Sequence, residues 1–126
     1  MNALTKDLMN LTEAVERNAV SDGRFRQKFH LMPPVGWLND PNGLCRYGGV
    51  YHAFFQYSPF NAEGGVKMWG HCTSEDMVEW KYEGVSMYPD QPFDCHGVYS
   101  GAALIEDGVM YLYYTGNVKL DGENFD

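Results

Sequence analysis

The sequence predicts an all-β chain that supplies about one and a half blades at the start of a β-propeller, preceded by a short amphipathic helix. Three observations carry this reading. From Gly43 onward the apolar residues fall in short β-type runs separated by turn formers. Two dipeptides suited to tight hairpins, Gly48-Gly49 and Asp107-Gly108, each join a pair of such runs. Before Gly43, the segment 3–18 carries an apolar stripe at helical period.

Leu4, Leu8, Leu11 and Val15 form that stripe in a segment otherwise rich in Lys, Glu, Asn and Thr, which leaves one apolar and one wet face. The stripe is expected to dock on the following domain; pairing with a partner's helix is the competing use. Ser21-Asp22-Gly23 ends the helix, so 1–23 is taken as a helical segment and 24–126 as the incomplete start of the propeller. Asn10-Leu11-Thr12 reads as a chance match to a glycosylation acceptor, because no secretory signal precedes it.

The first hairpin runs from Leu44 to Tyr47 and from Val50 to Tyr57 about Gly48-Gly49. Its second strand, Val50 to Phe55, is apolar on both faces, as suits a strand sandwiched between layers. A loop at 58–66 leads to a third run, Met68 to Thr73, and a fourth starts near Trp80. Four antiparallel strands make one blade. After the proline-marked connection Tyr88-Pro89-Asp90-Gln91-Pro92, a second set begins with a hairpin of Tyr99 to Glu106 and Val109 to Thr115.

Composition narrows the function. Of 126 residues, 44% are hydrophobic and 15% aromatic, enough apolar material for one small domain rather than a disordered segment. The net charge of −8, with one short basic cluster at 24–28, excludes a nucleic-acid or anionic-membrane partner. No apolar run approaches the ~20 residues needed to span a bilayer. With no signal-peptide core at the N-terminus, the expected location is the cytoplasm. Cys45, Cys72 and Cys95 form neither a Cys-x-x-Cys pair nor an even set, so they read as reduced, packed thiols. His30, His52, His71 and His96 lack metal-ligand spacing, and no metal site is expected.

The chemistry concentrates in Gly36-Trp37-Leu38-Asn39-Asp40-Pro41-Asn42-Gly43. Pro41 pushes the backbone of Asp40 toward an extended conformation, and Gly43 admits the chain to a closely packed strand. The carboxylate would then stand at a strand's beginning on rigid backbone, as a nucleophile requires. Read without further context, the same residues serve equally as a solvated turn.

Trp37 to Gly43 resembles the sucrose-box motif of glycoside hydrolase family 32, the invertases, sucrose-6-phosphate hydrolases, inulinases and levanases. Phe54-Phe55-Gln56-Tyr57-Ser58-Pro59-Phe60 resembles the family's second box. Trp69-Gly70-His71 with Ser74, Asp76, Met77 and Trp80 resembles its third, and Tyr99-Ser100-Gly101 its fourth. Four matches in order are specific where one would be weak. They cover roughly 24–117 and leave out the helical segment.

The resemblance implies a five-bladed β-propeller and a retaining hydrolase of terminal β-fructofuranosyl bonds, acting on a small carbohydrate such as sucrose, sucrose 6-phosphate or a fructo-oligosaccharide, without a cofactor. It makes Asp40 the nucleophile and puts Asn39, Gln56, Tyr99 and Ser100 in the fructose pocket. Amides can both give and accept hydrogen bonds to vicinal hydroxyls, and a tyrosine ring offers an apolar wall. Each has a plainer use: Gln56 at a strand edge, Ser100 in an ordinary strand, Trp69 in the core.

Glycosidic hydrolysis generally needs a second carboxyl group as acid/base. The family's Arg-Asp-Pro and Glu-Cys motifs, which carry the transition-state-stabilising Asp and the acid/base Glu, do not occur here. Asp94-Cys95-His96 imitates the latter too early in the chain, and Asp94 reads as a loop residue. The chain is therefore expected to be an inactive N-terminal portion of a fructosidase. A fructoside-binding module without turnover is the alternative, and a functionless fragment with exposed strand edges is a third reading. A tryptophan that many relatives carry after the Gln-Tyr box is replaced by Gly64 in Ala62-Glu63-Gly64-Gly65, which opens the identity of the leaving sugar.

Overall fold

The computed structural model describes residues 3–19, 24 and 26–120. One helix, α1 (Ala3–Arg17), precedes six strands: β1 (Trp37–Tyr47), β2 (Val50–Ser58), β3 (Met68–Ser74), β4 (Lys81–Met87), β5 (Gly97–Glu106) and β6 (Val109–Asn117). β1 to β4 form an antiparallel sheet in sequence order, and β5 pairs with β6 in a second sheet. Both hairpin turns have positive φ at both central residues, Gly48-Gly49 and Asp107-Gly108, the backbone twist that suits two-residue connections.

β1 is longer than expected and begins at Trp37 rather than Leu44. The Asn-Asp-Pro-Asn-Gly stretch is neither a turn nor a lead-in. It is accommodated inside the strand by register shifts between Leu38 and Pro41 and between Asn42 and Cys45. Such bulges leave residues outside the ladder, here Asn39 and Asp40 in the first and Gly43 and Leu44 in the second, and re-aim their side chains, while Pro41 stays in register with Phe55.

β2 is the central strand of the first core. Ala53 to Ser58 are all buried, so the expected burial on both faces holds for the second half of the strand. Phe54 packs with Trp69 and Val98 on one side, adding Met87, Met110, Leu112 and Tyr114. Phe55, Tyr57 and Cys72 pack on the other with Leu31, Leu38, Trp80, Tyr82 and Val85. The first of these clusters joins the two sheets. The main chain joins them as well: Val98 N–H donates to Lys67 O at 2.8 Å, beside a parallel bridge between Lys67 and Gly97.

α1 docks on the domain as expected, by a face that takes in half of the expected stripe: Leu8 and Val15 are half-buried beside two buried threonines, and the other two leucines are exposed. Leu4 and Leu11 are 80% and 54% exposed, whereas Thr5 and Thr12 are 3% and 0% exposed. Thr5 and Thr12 lie two turns apart, and small side chains there let the helix approach the strands closely. Thr5 Oγ1 donates to Pro89 O at 3.3 Å, Thr12 Oγ1 meets Met68 Sδ at 3.9 Å, and Tyr82 OH donates to Glu16 Oε1 at 2.7 Å. Hydroxyls with partners are cheaper to bury than their hydropathy suggests. The expected terminator Ser21-Asp22-Gly23 lies outside the described residues; within them, Ala19 N–H closes the helix on Glu16 O.

The turn from β3 to β4 is held by two side chains of the third box. Ser74 Oγ accepts from Met77 N, while Asp76 Oδ1 accepts from Val78 N and Glu79 N at 2.8 and 2.9 Å. The backbone N–H groups of Glu79 and Val78 hold the Asp76 carboxyl below its ordinary range. Asp94 is likewise structural. It is 0% exposed, accepts from Gln91 N and from Tyr114 OH at 2.8 Å each, and so ties the connection before β5 to β6. Burial, then the bond to Asp94, pushes the Tyr114 phenol up to about 12.

Candidate active site

Two bulges from different sheets meet to form the site. In β1, Leu38 pairs with Tyr57 and Pro41 with Phe55, so Asn39 and Asp40 together oppose Gln56. In β5, Tyr99 pairs with Thr115 and Gly101 with Tyr114, so Ser100 is the extra residue. A residue released from its ladder is free to present its side chain elsewhere. Ser100 Oγ donates to Asp40 Oδ2 at 2.7 Å and accepts from Gln56 Nε2 at 3.2 Å. The hydroxyl thus links a buried amide to an exposed carboxylate.

The backbone under these side chains is pinned by Asn42, which is 2% exposed. Its Nδ2 donates to Asp40 O at 3.0 Å, and its Oδ1 accepts from Gly101 N at 3.0 Å. One amide therefore fixes the carbonyl of the carboxylate-bearing residue and the chain just past Ser100. Trp69 adds a third tie, Nε1–H to Tyr99 O at 3.1 Å, and its ring is fully buried in the core.

Of the residues expected at the site, Asp40, Gln56 and Ser100 come together in one hydrogen-bonded series, and Tyr99 adjoins it through the backbone. Asn39 does not join that series. It borders a separate hollow of about 610 Å³, together with Leu38, Pro41, Leu44, Phe55 and Trp80.

Two residues were missed from the sequence. Asn42 was visible only as part of a turn-like motif, and nothing local marked it as a link to a strand nearly sixty positions away. Lys67 was unremarked. Its Nζ lies 5.3 Å from the ring centroids of both Trp37 and Tyr99, a cation between two aromatic faces at the edge of the site. The signal was a single basic residue in Gly64-Gly65-Val66-Lys67.

At Gly64 the structure gives the missing tryptophan a physical context. Its φ is +106°, a conformation any side chain would strain, and a Cβ there would lie 3.7 Å from the Trp37 indole. The histidines also differ from isolated residues: His52 Nδ1 and His71 Nε2 are 2.9 Å apart, and burial, then His52, lowers the pKa of His71. No group of three or more metal-ligating side chains occurs among the described residues, and no helix there is long and apolar enough to cross a membrane.

Comparisons with known proteins agree with this architecture. The model of the glycosyl hydrolases family 32 N-terminal domain matches residues 30–125. Sucrose-6-phosphate hydrolase of Bacillus subtilis (strain 168) is 53% identical over 94 residues, which are 75% of this chain and 20% of that protein. Raffinose invertase of Escherichia coli is 49% identical over 98 residues, 78% of this chain and 21% of that protein. The structure of sucrose-6-phosphate hydrolase from Lactobacillus gasseri superposes with a TM-score of 0.77 at 37% identity, over 96% of this chain and 23% of that one. The chain thus spans about a fifth of the curated relatives it matches. With four motifs in order, a mostly β architecture and a family model matched over most of its length, the chain belongs to glycosyl hydrolase family 32, as the N-terminal part of such a protein.

Proposed function

We propose that the full-length protein containing this chain hydrolyses terminal β-fructofuranosyl bonds, in sucrose, sucrose 6-phosphate or a fructan, with retention of configuration. Asp40 attacks the anomeric carbon to form a covalent fructosyl-enzyme, which water then hydrolyses. Gln56 and Ser100 grip hydroxyls of the fructosyl unit and Tyr99 walls the pocket, while Asn39, expected there from the motif, borders the neighbouring hollow instead. The observation that carries the reading is the 2.7 Å hydrogen bond from Ser100 to Asp40: it orients one carboxylate oxygen while the residue remains exposed to a ligand. The two sheets are read as the first blade and part of the second of a five-bladed propeller. The acid/base and the transition-state-stabilising carboxylate lie outside these residues, and the 126-residue chain alone is inactive.

The test is fructose release from sucrose, sucrose 6-phosphate and inulin. In the full-length protein Asp40→Ala lowers kcat roughly ten-thousand-fold, as loss of a nucleophile does, with the thermal transition unchanged. Near-wild-type turnover by that variant would sink the assignment. Sugar binding without turnover in the full-length wild type would instead favour a fructoside-binding module, and fructose release by the 126-residue chain alone would refute the missing acid/base.

A further inference from the structure

We propose that Lys67 is a specificity-determining residue that binds a phosphoryl group on the leaving sugar. The inference rests on the β-fructosidase reading above and names the substrate class within it. The ammonium lies 5.3 Å from the Trp37 and Tyr99 ring centroids. Trp37 opens β1 three residues before Asp40, and Tyr99 precedes Ser100 in β5, so the cation stands at the rim of the carboxylate site.

Its position is held from the backbone. Lys67 O accepts from Val98 N at 2.8 Å, and a Cβ on Gly97 would lie 3.2 Å from the Lys67 Cβ, so the stem is packed where the two sheets join. The head is less engaged. Its contact with Gly65 O, at 3.5 Å, occupies one of three N–H donors, and no described carboxylate pairs with it. Two aromatic faces keep a cation in place without neutralising it, and they are also surfaces on which a sugar ring can lie. An ammonium with free donors beside such surfaces is suited to an anionic substituent, and a phosphoryl group is the strong acceptor a sugar can carry. Gly64 and Gly65 bring no side chains to this rim, so space beside the lysine stays open.

A role confined to bracing the 61–67 loop would leave substrate preference alone. The experiment therefore reads preference in the full-length protein, for wild type, Lys67→Met and Lys67→Arg. Wild type favours sucrose 6-phosphate over sucrose in kcat/KM. Lys67→Met lowers that ratio about ten- to a hundredfold, the effect of losing a charge-assisted hydrogen bond, and Lys67→Arg keeps most of it. A ratio that Lys67→Met moves by less than about twofold overturns the proposal.

Calorimetric titration with glucose 6-phosphate, glucose and inorganic phosphate gives a second readout that needs no turnover. Tighter binding of glucose 6-phosphate than of glucose, lost in Lys67→Met, supports the subsite. Inorganic phosphate bound as tightly as glucose 6-phosphate marks an adventitious anion contact and overturns it. If the wild type releases fructose from neither substrate, the β-fructosidase reading fails, and the titration still decides on Lys67.

Discussion

Ser100 and Asn42 show how the site is built residue by residue. Ser100 on β5 bonds to Asp40 on β1 and to Gln56 on β2, and Asn42 on β1 bonds to Asp40 O and to Gly101 N on β5, so each couples the two sheets at the point where the carboxylate stands. Asn42 is the more costly to lose, because it is buried and both its partners are backbone groups. Asn42→Ala removes the side-chain bonds to Gly101 N–H and Asp40 O and is expected to destabilise the chain by about 1–3 kcal/mol, measured by urea unfolding. A loss below about 0.5 kcal/mol would mean that water replaces the amide, and that Asn42 is not the pin described here. Asp40, Gln56, Tyr99 and Ser100 were legible as candidates from the motifs. The grouping of Asp40, Gln56 and Ser100, and the separation of Asn39, were not, because they depend on which residue each bulge releases.

Among the elements, strands were read more accurately than the helix face. Alternation and turn dipeptides report local geometry, and β2 to β6 begin within about two residues of where the runs predict them. β1 was cut short because proline, asparagine and glycine suggest a turn, whereas pairing with β2 holds them in a bulged strand. For α1 the apolar stripe indicated a docking face, but the helix buries Thr5 and Thr12, whose hydroxyls find partners on Pro89 and Met68. Two variants distinguish the faces. Thr12→Asp, which places a carboxylate in a fully buried site, is expected to cost about 2 kcal/mol or more, while Leu11→Asp stays within about 0.5 kcal/mol. Equal losses in urea unfolding would return the docking face to the leucine stripe.

At the scale of the molecule, the second sheet is one-sided. β5 and β6 bury Val98 against the first core, yet Leu104, Ile105, Val109, Tyr111 and Tyr113 are exposed along the same hairpin. A two-stranded ribbon with an apolar surface and open edges invites pairing with another chain. The 126-residue chain on its own is therefore expected to self-associate at micromolar concentration, and light scattering with the full-length protein as reference checks this. A monodisperse monomer would show that the hairpin's surface is tolerated without cover.

The family and the strand order were legible from the chain alone, because these depend on residue types at fixed spacing along it. The tertiary structure alone decided that Asp40 meets Ser100, that Asn42 binds both sheets, that threonines dock the helix and that Lys67 lies between Trp37 and Tyr99. Those contacts join residues far apart in sequence through bulges and sheet-to-sheet packing. No local pattern records how such packing closes, since the same side chains satisfy the same spacing whichever way a bulge turns them.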